Sequence, residues 1–244
     1  MLSDPGSETI KRYGSLNTVV YEALEPGGDH PALQADVARY VAPRVGEALA
    51  GIAFPGTFML DPQGRVTDRF FEDSYRDRYT AANILLQLGV GGSSVTATEM
   101  STHHVRIRTY PSDGEVALGD RFSLVVEIEP LPEMHVYAPG AARYRVVDLR
   151  IDPQQSVRLY PIEYPPSEIY HFEPLDERVP VYQRPFTLLQ EVAPEVDREH
   201  FEGKDTLTLT GSLEYQACDH SICYNPVSVP LSWTVGLKPF VSGQ

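Results

Sequence analysis

The stretch Thr206-Leu-Thr-Leu-Thr210-Gly-Ser-Leu-Glu-Tyr215-Gln-Ala-Cys218-Asp-His-Ser-Ile-Cys223-Tyr-Asn-Pro226-Val-Ser-Val-Pro-Leu231-Ser-Trp233 decides how this chain is read. Leucine alternates with threonine from Thr206 to Thr210, the period of a strand with one buried face. Leu213 to Ala217 carries the chain to Cys218, Asn225-Pro226 turns it, and a second alternating run ends at Trp233. The pattern predicts two antiparallel strands with both cysteines in the loop between them. Ladders on either side hold the sulfurs close and near the surface, with Cα atoms in disulfide range, roughly 4.4 to 6.8 Å. Trp233, the only tryptophan, falls on the last strand and reads as core.

Moving outward, the same grammar covers residues 103–236. Short runs rich in Val, Ile, Leu, Tyr and Thr are punctuated by Pro and Gly: Val105–Thr109, Arg121–Ile128, Tyr144–Ile151, Val157–Tyr160, Phe186–Glu191, Asp205–Tyr215 and Val227–Val235. No sustained helical period or internal repeat interrupts them, so an all-β sandwich of about seven strands is expected. Residues 1–92 read differently, as α/β. Thr9–Tyr13 fits a short helix, Pro31–Ala50 a helix split at Pro43, and Thr57–Leu60 with Arg65–Phe71 two strands joined by Asp61-Pro-Gln-Gly64. A last helix is expected from about Tyr79 to Leu88, and the Gly/Ser-rich stretch from Gly89 opens a linker taken as 93–102.

With 244 residues, 42% of them hydrophobic, the chain can build one large domain or two modest ones. A formal net charge of -14 makes nucleic acid and anionic membrane surfaces poor partners. No run approaches the roughly 18 apolar residues of a membrane helix, and the first residues lack the apolar region of a signal peptide. Membrane insertion and an export signal are therefore not expected in the sequence as it stands.

The 2 cysteines sit together as Cys218-Asp-His-Ser-Ile-Cys223. Three chemistries compete for them. As a structural staple the pair is poorly placed, because closing so short a loop stabilises by only about 2 kcal/mol, against roughly 4 to 5 for a loop of a hundred residues. As a metal site it is incomplete, since two thiolates with only His220 nearby do not fill a tetrahedral shell; no metal and no cofactor is expected. The third reading, a redox dithiol, needs two sulfurs that alternate between bonded and free without unfolding the domain. Asp219 disfavours a thiolate here and a protonated His220 favours one, and the residues alone leave that balance open.

Tyr215-Gln-Ala-Cys218-Asp-His-Ser-Ile-Cys223-Tyr-Asn-Pro226, followed by Val229-Pro-Leu231, resembles the active-site hairpin of the N-terminal periplasmic domain of the disulfide reductase DsbD. The resemblance runs over roughly 103–235 and takes in Met134-His-Val-Tyr-Ala-Pro139 and Pro180-Val-Tyr182. It implies an immunoglobulin-like fold, an extracytoplasmic location, and a protein-disulfide reductase that relays electrons between thioredoxin-like proteins or domains. It also implies roles: Cys223 forms the mixed disulfide with partners and Cys218 resolves it. His135 and Tyr137 alternate in a strand-like tract, and the resemblance has aromatic residues face the cysteines from there. The resemblance also implies an aromatic cap over the disulfide from the loop between Tyr164 and Arg184, with Phe172 as the aromatic candidate and Leu175 the alternative at that position.

The first half carries a second resemblance. Leu2-Ser-Asp-Pro through Tyr13-Gly14, Gly51-Ile-Ala-Phe-Pro-Gly-Thr-Phe-Met-Leu-Asp61 and Phe70-Phe-Glu-Asp-Ser-Tyr75 look like the second half of a thioredoxin-like redoxin of the alkyl hydroperoxide reductase class. Pro55 would then be the cis-proline of that fold. Its first strand, first helix and cysteines are missing, and a thioredoxin sheet without its first strands leaves a raw edge. A longer parent chain is therefore expected. The fold expected overall is multi-domain, a partial thioredoxin-like α/β domain (1–92) followed by an immunoglobulin-like sandwich (103–236). Thiol-disulfide exchange leads, against a non-catalytic binding sandwich with a structural disulfide and against a peroxiredoxin-like enzyme whose catalytic cysteine lies upstream.

Overall fold

A computed structural model describes residues 8–12, 56–71, 78–90, 95–162, 164–172 and 176–239. The chain divides into two compact units, 1–78 and 79–244.

In the first unit the short helix α1 spans Glu8–Arg12, with an acidic first turn and a basic last turn that match the helix dipole. Strands β1 (Gly56–Leu60) and β2 (Val66–Phe71) form an antiparallel hairpin. Asp61 shapes its turn by accepting the Gln63 and Arg65 amides on Oδ1, and Gly64 takes φ 79°, which a side chain would strain. The helix expected over 31–50 and the proposed cis-proline Pro55 lie outside the described residues.

Strand β3 (Arg78–Tyr79) precedes the second unit's elements: α2 (Ala81–Gln87), β4 (Thr98–Ser101), β5 (Val105–Pro111), β6 (Glu115–Val116), β7 (Asp120–Pro130), β8 (His135–Tyr137), β9 (Asp148–Ile151), β10 (Val157–Leu159), β11 (Glu168–Phe172), β12 (Glu177–Tyr182), β13 (Phe186–Pro194), α3 (Arg198–Phe201), β14 (Thr206–Tyr215), β15 (Ala217–Cys218) and β16 (Val227–Leu237). One sheet runs β10-β13-β7-β5-β4, a second β6-β16-β14-β9, and a third β11-β12-β8-β15. The first two supply the layers of a sandwich. Phe122, Leu124, Val126 and Ile128 alternate inward from β7, and Leu207, Leu209, Leu213 and Tyr215 from β14 meet them with Val229, Leu231, Trp233 and Val235 of β16. Each fully buried side chain of this size contributes about 1.5 to 3 kcal/mol before entropy is counted. Trp233 is core, as its strand position implied: its Nε1 donates to Thr109 Oγ1 of the opposite sheet at 2.7 Å, and that hydroxyl donates to Val125 O.

Three elements differ from the sequence reading. Helix α2 forms where expected but belongs to the sandwich unit: it buries Asn83 and Ile84, and Asn83 Oδ1 accepts the Ser123 hydroxyl of β7 at 2.6 Å. A buried amide whose partners lie on the sheet ties the helix there. Thr98–Ser101, within the expected linker, is strand β4 paired with β5. The 164–184 tract, expected as a loop, contains the β11-β12 hairpin, because Val179, Val181 and Tyr182 bury their side chains and β12 pairs with β8. Conversely, residues 144–147 stay out of β9, since Tyr144 N–H closes a turn on Ala141 O and Val147 N–H bonds Tyr137 O.

The β14-β9 pairing depends on Gly211. A Cβ there would lie 2.2 Å from the Arg150 carbonyl oxygen, so β9 must shift to admit one. Gly211→Ala is expected to destabilise the domain by about 1 to 3 kcal/mol, the usual cost of overpacking, seen as a lower urea midpoint at unchanged slope. A change within roughly 0.5 kcal/mol would mean that β9 gives way freely.

Candidate active site

The cysteines arrive by a change of sheet. β14 ends at Tyr215, anchored by a 2.7 Å hydrogen bond between its hydroxyl and Thr102 Oγ1. Gln216 steps the chain across: its amide Oε1 accepts the Arg145 N–H and its Nε2 donates to Tyr224 O. β15 then pairs with β8, setting Cys218 opposite His135.

Cys218 and Cys223 are disulfide-bonded and form an isolated antiparallel bridge. Hydrogen bonds Tyr224 N–H to Ala217 O and Asp219 N–H to Ile222 O bracket the pair, which is therefore a non-hydrogen-bonded position of the ladder. That position brings opposite Cα atoms to about 4.5 Å. Here they are 4.1 Å apart, slightly below the range of roughly 4.4 to 6.8 Å expected from the sequence. Asp219 closes the intervening turn: Oδ1 accepts the Ser221 and Ile222 amides at 2.6 Å each and Oδ2 accepts the Tyr224 hydroxyl at 2.9 Å. These donors, the Ser221 amide first, hold its carboxyl below the ordinary aspartate value. His220 is exposed at the tip of the turn.

The two sulfurs differ sharply in access. Cys218 is 1% exposed, within a small cluster of Tyr137, Ala141, Val179 and Val181, whereas Cys223 is exposed. Tyr137 supplies the polar contact, with its hydroxyl 3.0 Å from Cys218 Sγ and 3.3 Å from Cys223 Sγ. Bonded sulfurs carry no hydrogen, so the phenol is the donor. Burial pushes the Tyr137 hydroxyl far above the ordinary phenol range, and neighbouring Tyr144 and Glu177 push it further, so it keeps its proton. His135 is buried edge-on to Tyr137 with ring centroids 5.6 Å apart. Burial lowers its pKa and leaves the imidazole neutral at pH 7, against an opposing pull from Asp219. Phe172 is half-buried at the end of β11, opposite Glu177, and Leu175 lies outside the described residues. From that hairpin the aromatic residue packed on the Cys218 cluster is Tyr170, whose ring lies 4.6 Å from that of His135.

Residues 111–229 match the family described as thiol:disulfide interchange protein DsbD, N-terminal. That stretch, just under half of the chain, is similar to a DsbD N-terminal domain. The N-terminal periplasmic domain of ScsB from Proteus mirabilis is also similar in structure, with 14% identity and a TM-score of 0.38, over 55% of this chain and 49% of that one. The chain thus spans about half the length of that protein. No curated protein matches the sequence.

Several residues of this site were not singled out from the sequence. Tyr144 stacks on Tyr137 with centroids 3.9 Å apart and planes 8° apart, and its hydroxyl donates to Glu177 Oε2 at 2.6 Å. Tyr224 is held between Asp219 and the His104 ring, whose centroid lies 4.5 Å from its own. His104 is buried, its Nδ1 has no partner, and burial lowers its pKa. Gln216 stood in the quoted motif without a role. For Tyr144 and Glu177 no local signal exists, because turn geometry at 138–147 and the β12-β8 pairing bring them to Tyr137.

The Asp219 turn has a pH signature. A carboxyl whose folded pKa lies below its unfolded value, roughly 3.9, stabilises above that value and loses its contribution as pH falls through the folded pKa. Amide exchange at Ser221 and Ile222 is therefore expected to accelerate as pH drops from about 5 towards 2, beyond the intrinsic pH effect, and to be fast at every pH in Asp219→Asn. Protection that is flat over that window would show that the carboxylate does not hold the turn.

Proposed function

We propose that this chain is a protein-disulfide reductase module that exchanges disulfides with thioredoxin-like proteins through Cys218 and Cys223, outside the cytoplasm. The observation that carries the reading is the unequal access of the two bonded sulfurs, one buried and one exposed. The DsbD N-terminal match over 111–229 supports it independently. No helix among the described residues is long and apolar enough to cross a membrane.

An incoming thiolate must approach along the S–S axis, and only Cys223 Sγ is open to it. A bond forms from the partner sulfur to Cys223, the Cys218–Cys223 bond breaks, and its electron pair goes to Cys218 Sγ. That sulfur is buried, where an unscreened negative charge is costly. Tyr137 answers the cost: its O–H, already 3.0 Å away, donates to the leaving sulfur and makes it the better leaving group. A second partner thiolate, or Cys218 itself attacking back, resolves the mixed disulfide. His135 packs edge-on against Tyr137, and Tyr170 packs against His135. Residues 1–92, by their redoxin resemblance, are proposed to belong to a donor or acceptor domain in the same chain. Tethering two such domains raises their effective concentration to the millimolar range.

The test separates the two sulfurs. A thioredoxin-like partner reduced to its single nucleophilic cysteine, and loaded as a nitrobenzoate disulfide, is mixed with each variant and run on a non-reducing gel. Cys218→Ser is expected to form a stable covalent complex through Cys223, and Cys223→Ser to form it slower by on the order of tenfold or more because its remaining thiol is buried. The reverse ranking would overturn the role assignment. Failure of both variants with folding intact would overturn exchange itself.

A further inference from the structure

When the Cys218–Cys223 bond is open, the backbone groups of Cys223 itself do not hold it beside Cys218. At a non-hydrogen-bonded position a residue's own N–H and C=O face away from the opposite strand, so Cys223 is held through its neighbours. Tyr224 is the neighbour that ties it down. Its N–H donates to Ala217 O at 2.9 Å, its carbonyl accepts from Gln216 Nε2 at 3.0 Å, and its hydroxyl donates to Asp219 Oδ2 at 2.9 Å. Those three partners belong to the cysteine hairpin. The fourth contact comes from outside it, where the Tyr224 ring packs on His104 with centroids 4.5 Å apart.

His104 is itself anchored to the sandwich. Its N–H donates to Thr102 Oγ1 at 3.1 Å, its carbonyl accepts the Leu131 N–H at 2.8 Å, and its ring meets Tyr215 edge-on at 6.3 Å. Thr102 Oγ1 in turn shares a 2.7 Å hydrogen bond with the Tyr215 hydroxyl. The imidazole therefore stands at the start of β5, fixed to the same tyrosine that ends β14. Its Nδ1 is buried without a partner, so the ring acts on Tyr224 by packing and not by a hydrogen bond from that atom. His104 and Tyr224 thus make a strut from the sandwich to the residue that follows the exposed cysteine.

Resting on the exchange reading above, we infer that His104 and Tyr224 are positioning residues that keep Cys223 against Cys218 when the disulfide is open and thereby set the reduction potential of the pair. Oxidation by glutathione disulfide proceeds by two exchanges. In the first, the Cys223 sulfur bonds one glutathione sulfur and the other glutathione leaves with the electron pair. In the second, the Cys218 sulfur bonds Cys223 Sγ and the remaining glutathione leaves in the same way. The two cysteine protons end on the two glutathione thiols. Only the second exchange is intramolecular, so holding the sulfurs together favours that step and leaves the first alone.

The full-length chain, equilibrated with glutathione buffers of defined ratio and read by alkylation and mass shift, gives the potential. His104→Ala removes the packing, and Tyr224→Phe keeps the ring but drops the bond to Asp219. Both are expected to lower the oxidation equilibrium constant about threefold to tenfold, tenfold being about 30 mV towards a more oxidising potential. His104→Phe, which keeps a ring and removes the unpartnered nitrogen, should retain the wild-type potential. With the reduced chain and dithiobis(nitrobenzoate), His104→Ala and Tyr224→Phe should slow only the second, reagent-independent release of coloured thiolate, which reports closure by Cys218. The first release, by Cys223, should be unchanged. Val235→Ala thins the main core at the far end of the β14-β16 ladder; it should lower the Tm and leave the potential and both phases as in the wild type. An unchanged potential in His104→Ala and Tyr224→Phe would overturn the strut, as would a shift in His104→Phe or Val235→Ala as large as that in His104→Ala. A wild-type chain that neither closes nor equilibrates with glutathione would instead overturn the exchange reading, and the strut's role with it.

Discussion

The pairing of Cys218 with Cys223 at a non-hydrogen-bonded position of an antiparallel ladder is the constraint from which the site follows. Two backbone bonds, Tyr224 N–H to Ala217 O and Asp219 N–H to Ile222 O, set that register. Such a position brings the two side chains together on one face of the hairpin. Because β15 is itself paired to β8, Cys218 is pressed between strands while Cys223 stays on the open side. One residue of slip would reverse the faces and separate the sulfurs. Asp219 and Gln216, which make no contact with sulfur here, serve this register from the two ends of the hairpin.

The main core and the site are packed as separate clusters. Sandwich residues such as Phe122, Leu124, Leu209 and Trp233 form the large cluster, and Tyr137, Ala141, Val179, Val181 and Cys218 form a small one beside it. A redox cycle opens and closes one covalent bond and moves charge at the sulfurs. Under the proposed exchange, confining that change to a small cluster would leave the two main sheets undisturbed. The ladder of ten paired residues between β14 and β16, continuing to Tyr215, holds the base of the hairpin rigid.

Under the proposed exchange, burying Cys218 would direct partners to Cys223, but it also makes a thiolate there costly. The aromatic surroundings meet that cost with dipoles instead of full charges. A Lys or Arg at this place would favour the thiolate permanently, whereas a phenol that keeps its proton stabilises the sulfur when charge develops and little otherwise. His135, held neutral by burial, adds packing without adding a charge.

Much of this was legible in the sequence because it is local. Alternation in Thr206–Thr210 and Val227–Val235 specified two strands of the sandwich, and a six-residue spacing that starts at Cys218 and ends at Cys223 specified that both cysteines share one hairpin loop. His135 and Tyr137 were placed near the cysteines by a strand period and a family likeness. Other features rest on contacts between segments distant in the chain, and no window of sequence contains them. The β11-β12 hairpin was hidden because its Pro, Glu and charged residues carry the composition of a loop, and only pairing with β8 makes it a sheet. Helix α2 has an ordinary helical pattern, but the buried Asn83 that binds it to β7 finds its partners there, Arg121 and Ser123, 38 and 40 residues away. The sequence by itself determined the chemistry, two thiols in one turn at the end of an alternating ladder, since residue type and period are local properties. Only the tertiary structure decided which sulfur is buried and that Tyr137, Tyr144 and Glu177 line up behind it, because burial and hydrogen-bond direction arise where separate strands meet.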